Sequence, residues 1–490
     1  MRARLVIGAI SKLNFFIGLT MLAPLVLAWA DGGRDAKAIA TSMMIILFIS
    51  GVMVAACRGE KQDISHKEGM LIVAVGWISV GLFGALPYFV GQIFGAMSAE
   101  NFINSFFESI SGFTTTGASV FGTSVHVESL SRAILLWRSQ THWLGGMGII
   151  VLVVAILPLL GVGGMQLFRA ESPGPTKEKL RPRIRQTAAT LWLVYLVLTI
   201  AQIVALLLAG MPLFDSICHT FATVATGGFS IKNISIEAYN SATIDGIITF
   251  FMFIAAVNFS LHYMFIFKRL KGYWANSEFR YYFTITIINI VLISAILFGS
   301  GIYDSALSAL RYGSFQTVSV MTTTGFSTAD FEKWPIVAQI LLLIFMFLGG
   351  CSGSTSGSIK IARIVVLAKH AYRELFRLIH PRSFATIKFG GKVVHKDILE
   401  SISGFFILYM GIFTVASIFM TAIGLDLLTA ITSVATMIGN VGPGLGAVGP
   451  SENYFMIPSI GKIILIMCML LGRLEIFTVI VLMTREFWKR

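Results

Sequence analysis

Charge is scarce in this chain: 12% of its 490 residues are Asp, Glu, Lys or Arg, about half of the roughly 25% usual in soluble domains. With 56% hydrophobic residues and a mean hydropathy of +0.82, too few polar side chains remain to cover the watery surfaces of the three domains that about 150 residues apiece would imply. Lipid must be the main solvent. Acidic residues are scarcer than basic ones, 24 against 37, an excess that would raise nucleic acid as a partner in a soluble chain. Here 28 of the 37 basic residues fall in six segments, at 1–12, 58–67, 165–187, 268–280, 360–397 and 485–490. The positive-inside rule makes these segments and both termini cytoplasmic, and no nucleic-acid partner is expected. Cysteine is nearly absent. Cys57, Cys218, Cys351 and Cys468 lie more than a hundred residues apart, which excludes a CxxC pair or a disulfide framework and leaves lone buried thiols.

Catalytic patterns are missing too. There is no Walker motif, no HExxH and no triad spacing, and the eight histidines are dispersed. The segment 444–449 matches GxGxxG but runs into Pro450 with no preceding strand, so it is not a dinucleotide site. An enzyme is excluded for want of a paired nucleophile and base, and no bound cofactor is expected. At the N-terminus Arg2, Arg4 and Lys12 precede an apolar run at 15–30 ending in Ala28-Trp29-Ala30, which resembles a signal-peptide cleavage site. The length of the run, and the second apolar stretch at 39–57 that returns the chain to its basic side, favour an uncleaved helix.

What is present is a repeat. SFFESISGFTTTGAS ending at Ser119, SICHTFATVATGGFS ending at Ser230, SFQTVSVMTTTGFS ending at Ser327 and LLTAITSVATMIGNVGPG ending at Gly444 are alike. Aligning them stacks Gly117, Gly227, Gly325 and Gly442, with separations of 110, 98 and 117 residues. Each short run is too brief to cross a hydrocarbon core of about 30 Å, which needs about 20 residues, and is bracketed by two longer ones: 71–91 and 133–160, 188–209 and 242–267, 282–298 and 336–366, 403–423 and 463–483. The expected fold is an all-α integral membrane protein of four parallel helix–pore loop–helix repeats around a pseudo-fourfold axis, with two N-terminal helices, ten spans in all. The divisions are 1–67, 68–187, 188–280, 281–400 and 401–490.

Irregular backbone at membrane depth is tolerated only where it is buried or lines a watery cavity. Small residues also serve close helix packing, but four aligned copies favour rings of carbonyls that replace a cation's hydration shell. The expected filter positions are Thr115, Thr116 and Gly117; Ala225, Thr226 and Gly227; Thr323, Thr324 and Gly325; and Asn440, Val441 and Gly442. Glu108 either stabilises a cation or hydrogen-bonds the filter backbone, and His219 reads as a polar tether rather than a metal ligand. In the third unit, residues 349–358 hold four glycines, Gly349, Gly350, Gly353 and Gly357, and four serines. Each helical Gly costs about 1 kcal/mol relative to Ala, so the stretch is either a tight helix crossing or an intramembrane loop that blocks the cavity. Arg473, inside the last crossing, must face the interior. It is either a charge barrier in the pathway or a structural charge held by carbonyls, with loop carbonyls around 349–357 or pore water as its partner. The basic stretch 363–392 reads as a docking face for a regulator or for anionic membrane lipid.

These residues resemble the Trk/Ktr/HKT potassium transporters, and within them the TrkH-type subunits of bacterial Trk systems. Besides the four loops, the likeness rests on WRSQTHWLGGMGIIVL at 137–152, GGCSGSTSGSIK at 349–360 and LGRLEIFTVIVL at 471–482. The resemblance implies a potassium filter in the loops, a gate at 349–357, a homodimer in the bacterial inner membrane and regulation by a cytosolic TrkA-type nucleotide-binding ring. His142, where the family more often has Gln, is expected to matter little. Potassium and rubidium are expected over sodium, since Gly117 is intact, where some plant relatives that prefer sodium carry Ser. An ion-coupled transporter working by alternating access is the competing function, because broken helices near the midplane also suit it.

Overall fold

The computed structural model describes residues 2–33, 35–57, 65–122, 125–148, 184–267, 272–381 and 386–489. Parts of the expected basic segments (58–64, 165–183 and 268–271) and the far half of the crossing at 133–160 lie outside them. Two apolar runs, Ala3–Ala30 and Ala36–Ala56, come first. Between them Gly32 and Gly33 take left-handed φ of 91° and 82°, which lets the chain reverse in a few residues. The next helix, His66–Gly84, opens on a capping box in which Ser65 and Glu68 bond reciprocally. Glu68 also pairs with Arg2 at 2.7 Å, fastening the N-terminal helices to the first unit.

Four units follow with one plan: a long helix, a half-helix and a second helix. The first contains His66–Gly84 continued by Leu86–Val90, then Ala99–Phe113 and Arg132–Gly146. The second has Ile184–Leu208, Leu213–Val224 and Ala242–Ala255. The third has Ser277–Gly299, Ala306–Met321 and Ile336–Phe345; the fourth has Lys396–Ala422, Leu427–Gly439 and Ser459–Arg473. The half-helices begin at defined caps. Ser98, Ser305 and Asp426 each accept the backbone N–H three residues on, and Pro212 sets the turn in the second unit.

Large apolar side chains such as Phe48, Leu208, Phe250, Ile288 and Ile407 are exposed on the outward faces. The inward faces instead bury Ser, Thr, Asn and Glu on the half-helices. That inversion of the soluble pattern makes the chain a multi-pass membrane protein. Among the described residues, six helices are long and apolar enough to cross a bilayer, and two bent helix pairs bring the number to eight. The remaining second crossings are Arg132–Gly146, whose continuation lies beyond the described residues, and the short helix Ile336–Phe345.

The structure departs from the sequence expectation in how the second crossings are built. Only the third was expected to be interrupted, yet the second bends by 103° between Ala242–Ala255 and Phe259–Ile266, and the fourth by 111° after Arg473. In the third the helix already ends at Phe345 and resumes at Ile361. The cause is tertiary. At the break in unit 2, the Ala256 carbonyl accepts the Cys351 N–H at 2.8 Å, and the Phe259 N–H donates to the Gly353 carbonyl at 3.1 Å. The freed peptide groups of one unit are satisfied by the loop of the next. Local composition carries no trace of such a partner. Beyond Ile361–Ile379, a two-stranded hairpin pairs Lys388 with Val393. Gly390 and Gly391 supply the positive φ its two-residue turn needs.

Candidate ion pathway

Each half-helix ends in the same way. Thr115, Thr226, Thr323 and Asn440 take left-handed φ of 53°, 55°, 58° and 53°. The next N–H then turns back five residues, from Thr116 to Ser111, Gly227 to Ala222, Thr324 to Ser319 and Val441 to Thr436, at 2.8–2.9 Å. This is the glycine-type helix stop, made here with Thr and Asn. The residue after that is a glycine with positive φ in every unit: Gly117 at 81°, Gly228 at 78°, Gly325 at 81° and Gly442 at 101°. The structural register of unit 2 is therefore displaced by one from the sequence alignment. Gly228, not Gly227, matches Gly117; Thr226 matches Thr115; and Ala225 falls level with Thr114. Two adjacent glycines made the Thr226-Gly227 pair look equivalent to Thr116-Gly117. The common Ser at 119, 230 and 327 was the signal that gives the correct offset.

The four loops meet around one axis. A Cβ on Gly117 would collide with the Gly227 carbonyl oxygen, one on Gly228 with that of Thr324 and one on Gly325 with that of Val441; on Gly442 it would lie 2.7 Å from that of Thr116. Each glycine thus abuts the loop of the following unit, and the fourth closes on the first. Gly117, Gly228, Gly325 and Gly442 also line one open cavity, shared with Arg138, Lys232 and Glu452. Among the described residues no three His, Cys, Asp or Glu side chains gather. The oxygens the ring offers are peptide carbonyls and the side chains of Thr and Asn. Two of these side-chain oxygens, Thr115 Oγ1 and Asn440 Oδ1, are buried without a hydrogen-bond partner.

Behind the ring stands a buried ion pair. Glu108 accepts from Arg138 Nε at 2.6 Å, from the Val120 N–H at 3.0 Å and from Ser119 Oγ at 3.1 Å. Arg138 in turn donates to the Ser230 carbonyl at 2.6 Å and lies over the Phe229 ring. Of the two readings of Glu108, backbone support is the one its contacts match. His219 bonds the Asp215 carbonyl and Ser230 Oγ, the geometry of a tether. His142 stacks on Phe229 with ring centroids 4.0 Å apart and fills the space a Cβ on Gly227 would need. It sits directly against the second loop, closer to the ring than its departure from the family pattern indicated. Its ring also explains why unit 2 has glycine where units 1 and 3 have threonine. The GxGxxG segment wraps a carboxylate: the Gly446 N–H donates to Glu332, which leaves no room for a Cβ on Gly449.

On the far side of the ring from the cavity, residues 346–360 cross under the half-helix C-termini. The Gly357 N–H donates to Thr323 Oγ1 at 2.7 Å, and a Cβ on Gly357 would collide with the Gly439 carbonyl. Gly349 presses on the Gly357 carbonyl, Gly350 on that of Ala256, and Gly353, with φ of 77°, on the Asn258 side chain. Thr355 Oγ1 donates to the carbonyls of Val224 and Ala255 at 3.1 Å. Arg473 donates to the carbonyls of Thr355 at 2.9 Å, Gly145 at 2.6 Å and Gly146 at 3.1 Å. The loop thus touches units 2, 3 and 4, and Arg473 ties it to unit 1. Glu475 pairs with Arg363 rather than with its neighbour Arg473.

Residues 35–489 match the family model TrkH, described as a cation transport protein. The chain belongs to the TrkH family. It is 43% identical to the Trk system potassium uptake protein TrkH of Escherichia coli K12 over 493 residues, covering 100% of both chains. It is 37% identical to TrkG of the same strain, covering 97% of each. The crystal structure of the potassium transporter TrkH from Vibrio parahaemolyticus matches with a TM-score of 0.89 and 39% identity over 100% of both chains. The family is one of transporters, not enzymes.

Within this TrkH-family chain, sequence reasoning missed three anchoring groups. Glu278 Oε1 accepts the Ser352 N–H at 2.7 Å and the Ala362 N–H at 3.3 Å, clamping the 346–360 loop and the start of the helix after it to the long helix of unit 3. Lys360 Nζ donates to the Ser356 carbonyl from inside the same loop. Arg138 links units 1 and 2. An acidic residue in a segment dominated by Lys and Arg was the available signal for Glu278; for Arg138 and Lys360 it was a charge inside the expected crossings 133–160 and 336–366.

Proposed function

We propose that the chain is a potassium-conducting pore subunit of the bacterial inner membrane, with the four-loop ring as filter and the 346–360 loop as its gate. The observation that carries this reading is the closed ring in which each loop abuts the next. Four left-handed residues turn the half-helix ends, which carry roughly half a negative charge each, toward a common point where cations gain and anions do not. The relatives named as potassium uptake proteins support potassium as the substrate. Filter ligands come from Thr115, Thr116, Gly117, Thr226, Gly227, Gly228, Thr323, Thr324, Gly325, Asn440, Val441 and Gly442; Ala225, one level deeper, supports the turn. The partition into two N-terminal helices and four pore repeats, cytoplasmic termini, a homodimer and a cytosolic TrkA-type regulator docking on the basic 363–392 face belong to the same proposal.

Reconstitution into liposomes tests it. Passive potassium and rubidium currents that exceed sodium currents are expected, with open events that need no coupled ion. Saturable flux with obligatory proton or sodium coupling would establish alternating access instead. Gly357→Ala is expected to dislodge the loop from Gly439 and raise open probability roughly tenfold, about 1.4 kcal/mol, at unchanged ion selectivity. Glu278→Ala removes two charge-assisted bonds, worth about 1.5–3 kcal/mol each to a charged acceptor, and should act in the same direction. Unaltered gating in both variants would remove the loop from the gate.

A further inference from the structure

Between units 2 and 3 a lateral groove of about 690 Å³ opens on the lipid-facing side, within the range of about 300–1,000 Å³ usual for small-molecule sites. Its walls are the helices Ala242–Ala255 and Ser277–Gly299 and the half-helix Ala306–Met321. Most of its length is apolar, formed by Phe250, Ile287, Ile290 and Val318. Toward the outer end, opposite the basic segments, Arg311 Nε donates to Asp245 Oδ2 at 2.7 Å. Asp245 is 3% exposed, and its Oδ1 has no hydrogen-bond partner. The Arg311 side chain is 25% exposed and lines the same groove.

The next residue, Gly246, forms part of the floor. A Cβ there would meet nothing within 4 Å, so no protein neighbour requires this helical glycine. The neighbouring hydroxyls are already used on their own helices, Thr249 on the Asp245 carbonyl and Ser314 on that of Arg311. Ser308 also lines the groove and accepts from Ser305 Oγ; the charged groups there are the Asp245 carboxylate, with one oxygen unpartnered, and the Arg311 guanidinium, a donor fork suited to phosphate.

We propose that this groove is a site for a zwitterionic phospholipid bearing a primary ammonium. The phosphate docks on Arg311, the ammonium donates to Asp245 Oδ1, and one acyl chain lies over Gly246 against Phe250, Ile287 and Ile290. From Asp245 to Phe253 the helix rises about 12 Å, close to the roughly 15 Å depth of one leaflet's hydrocarbon. An anionic headgroup would satisfy Arg311 but face the Asp245 carboxylate, and a quaternary ammonium has no N–H to give it. The inference rests on the membrane-spanning fold alone and is independent of the pore reading.

The test is thermal unfolding of the full chain in detergent with added phosphatidylethanolamine, phosphatidylcholine or phosphatidylglycerol. Phosphatidylethanolamine is expected to raise the midpoint by about 5 °C, as a ligand of the folded state does, and the other two by less than half of that. Gly246→Leu fills the groove without touching the ion pair and should abolish the difference while the protein still folds. The double variant Asp245→Asn with Arg311→Gln removes both charges while leaving polar side chains at the two positions and should make phosphatidylethanolamine and phosphatidylcholine equivalent. Equal shifts from all three lipids, a preference that survives Gly246→Leu, or disulfide cross-linking of two chains through Leu307→Cys in place of a lipid effect would each overturn the proposal.

Discussion

Gly117→Ser is expected to lower potassium-over-sodium selectivity by at least about tenfold while leaving the protein folded in the membrane. Two costs fall on the same residue. Its φ of 81° is open to glycine but costs other L-residues about 1–2 kcal/mol, and its new Cβ would strike the Gly227 carbonyl oxygen. Relief requires either loop to swing away from the axis, and a widened ring no longer matches a dehydrated potassium ion. About 1.4 kcal/mol of lost discrimination is tenfold in the selectivity ratio. The register found in unit 2 sharpens the experiment. Gly228→Ser should copy Gly117→Ser, because its Cβ would meet the Thr324 carbonyl, whereas Gly227→Ser would instead drive into the His142 ring. Permeability ratios for potassium, rubidium and sodium in the three variants decide it. Sodium exclusion retained in both Gly117→Ser and Gly228→Ser would mean that the ring does not select.

Architecture was legible in the sequence because the bilayer enforces it. A half-helix too short to span, placed between two runs that do, has few places to go. The equivalence of Gly117, Gly325 and Gly442 followed from local motif alone, since in units 1, 3 and 4 no second glycine adjoins the one after the helix stop. In unit 2 the consecutive Gly227 and Gly228 left the offset ambiguous, and only the helix-end hydrogen bonds fix it. The bends in the second crossings were illegible for a different reason. Ala256-Val257-Asn258 contains no glycine or proline, and the helix opens there because Cys351 and Gly353 of another unit take up its backbone groups. The partners of Arg473 were half legible: loop carbonyls were within the candidates, but Gly145 and Gly146, more than three hundred residues away in sequence, were not.

Arg473→Ala is expected to raise cation flux by roughly one to two orders of magnitude with the potassium-over-sodium ratio unchanged. The guanidinium closes the helix Ser459–Arg473 and points at carbonyls of units 1 and 3 under the ring. A positive charge about 6 Å from a passing cation, at an effective dielectric constant near 20, opposes it by about 3 kcal/mol, which is roughly 100-fold in rate. Removing it also releases the carbonyls of Thr355, Gly145 and Gly146, whose negative ends then face the pathway. The carbonyls that Arg473 is seen to hold, those of Thr355, Gly145 and Gly146, lie outside the four ring loops, so selectivity is expected to stay. Arg473→Lys separates charge from bracing: lysine keeps the charge but cannot hold three carbonyls from two units in a fixed fork. High flux in Arg473→Ala with low flux in Arg473→Lys assigns the effect to charge. High flux in both assigns it to loss of the tie between Thr355 and unit 1, and thus to the loop itself. Flux unchanged or reduced in Arg473→Ala would mean that this arginine is neither barrier nor latch.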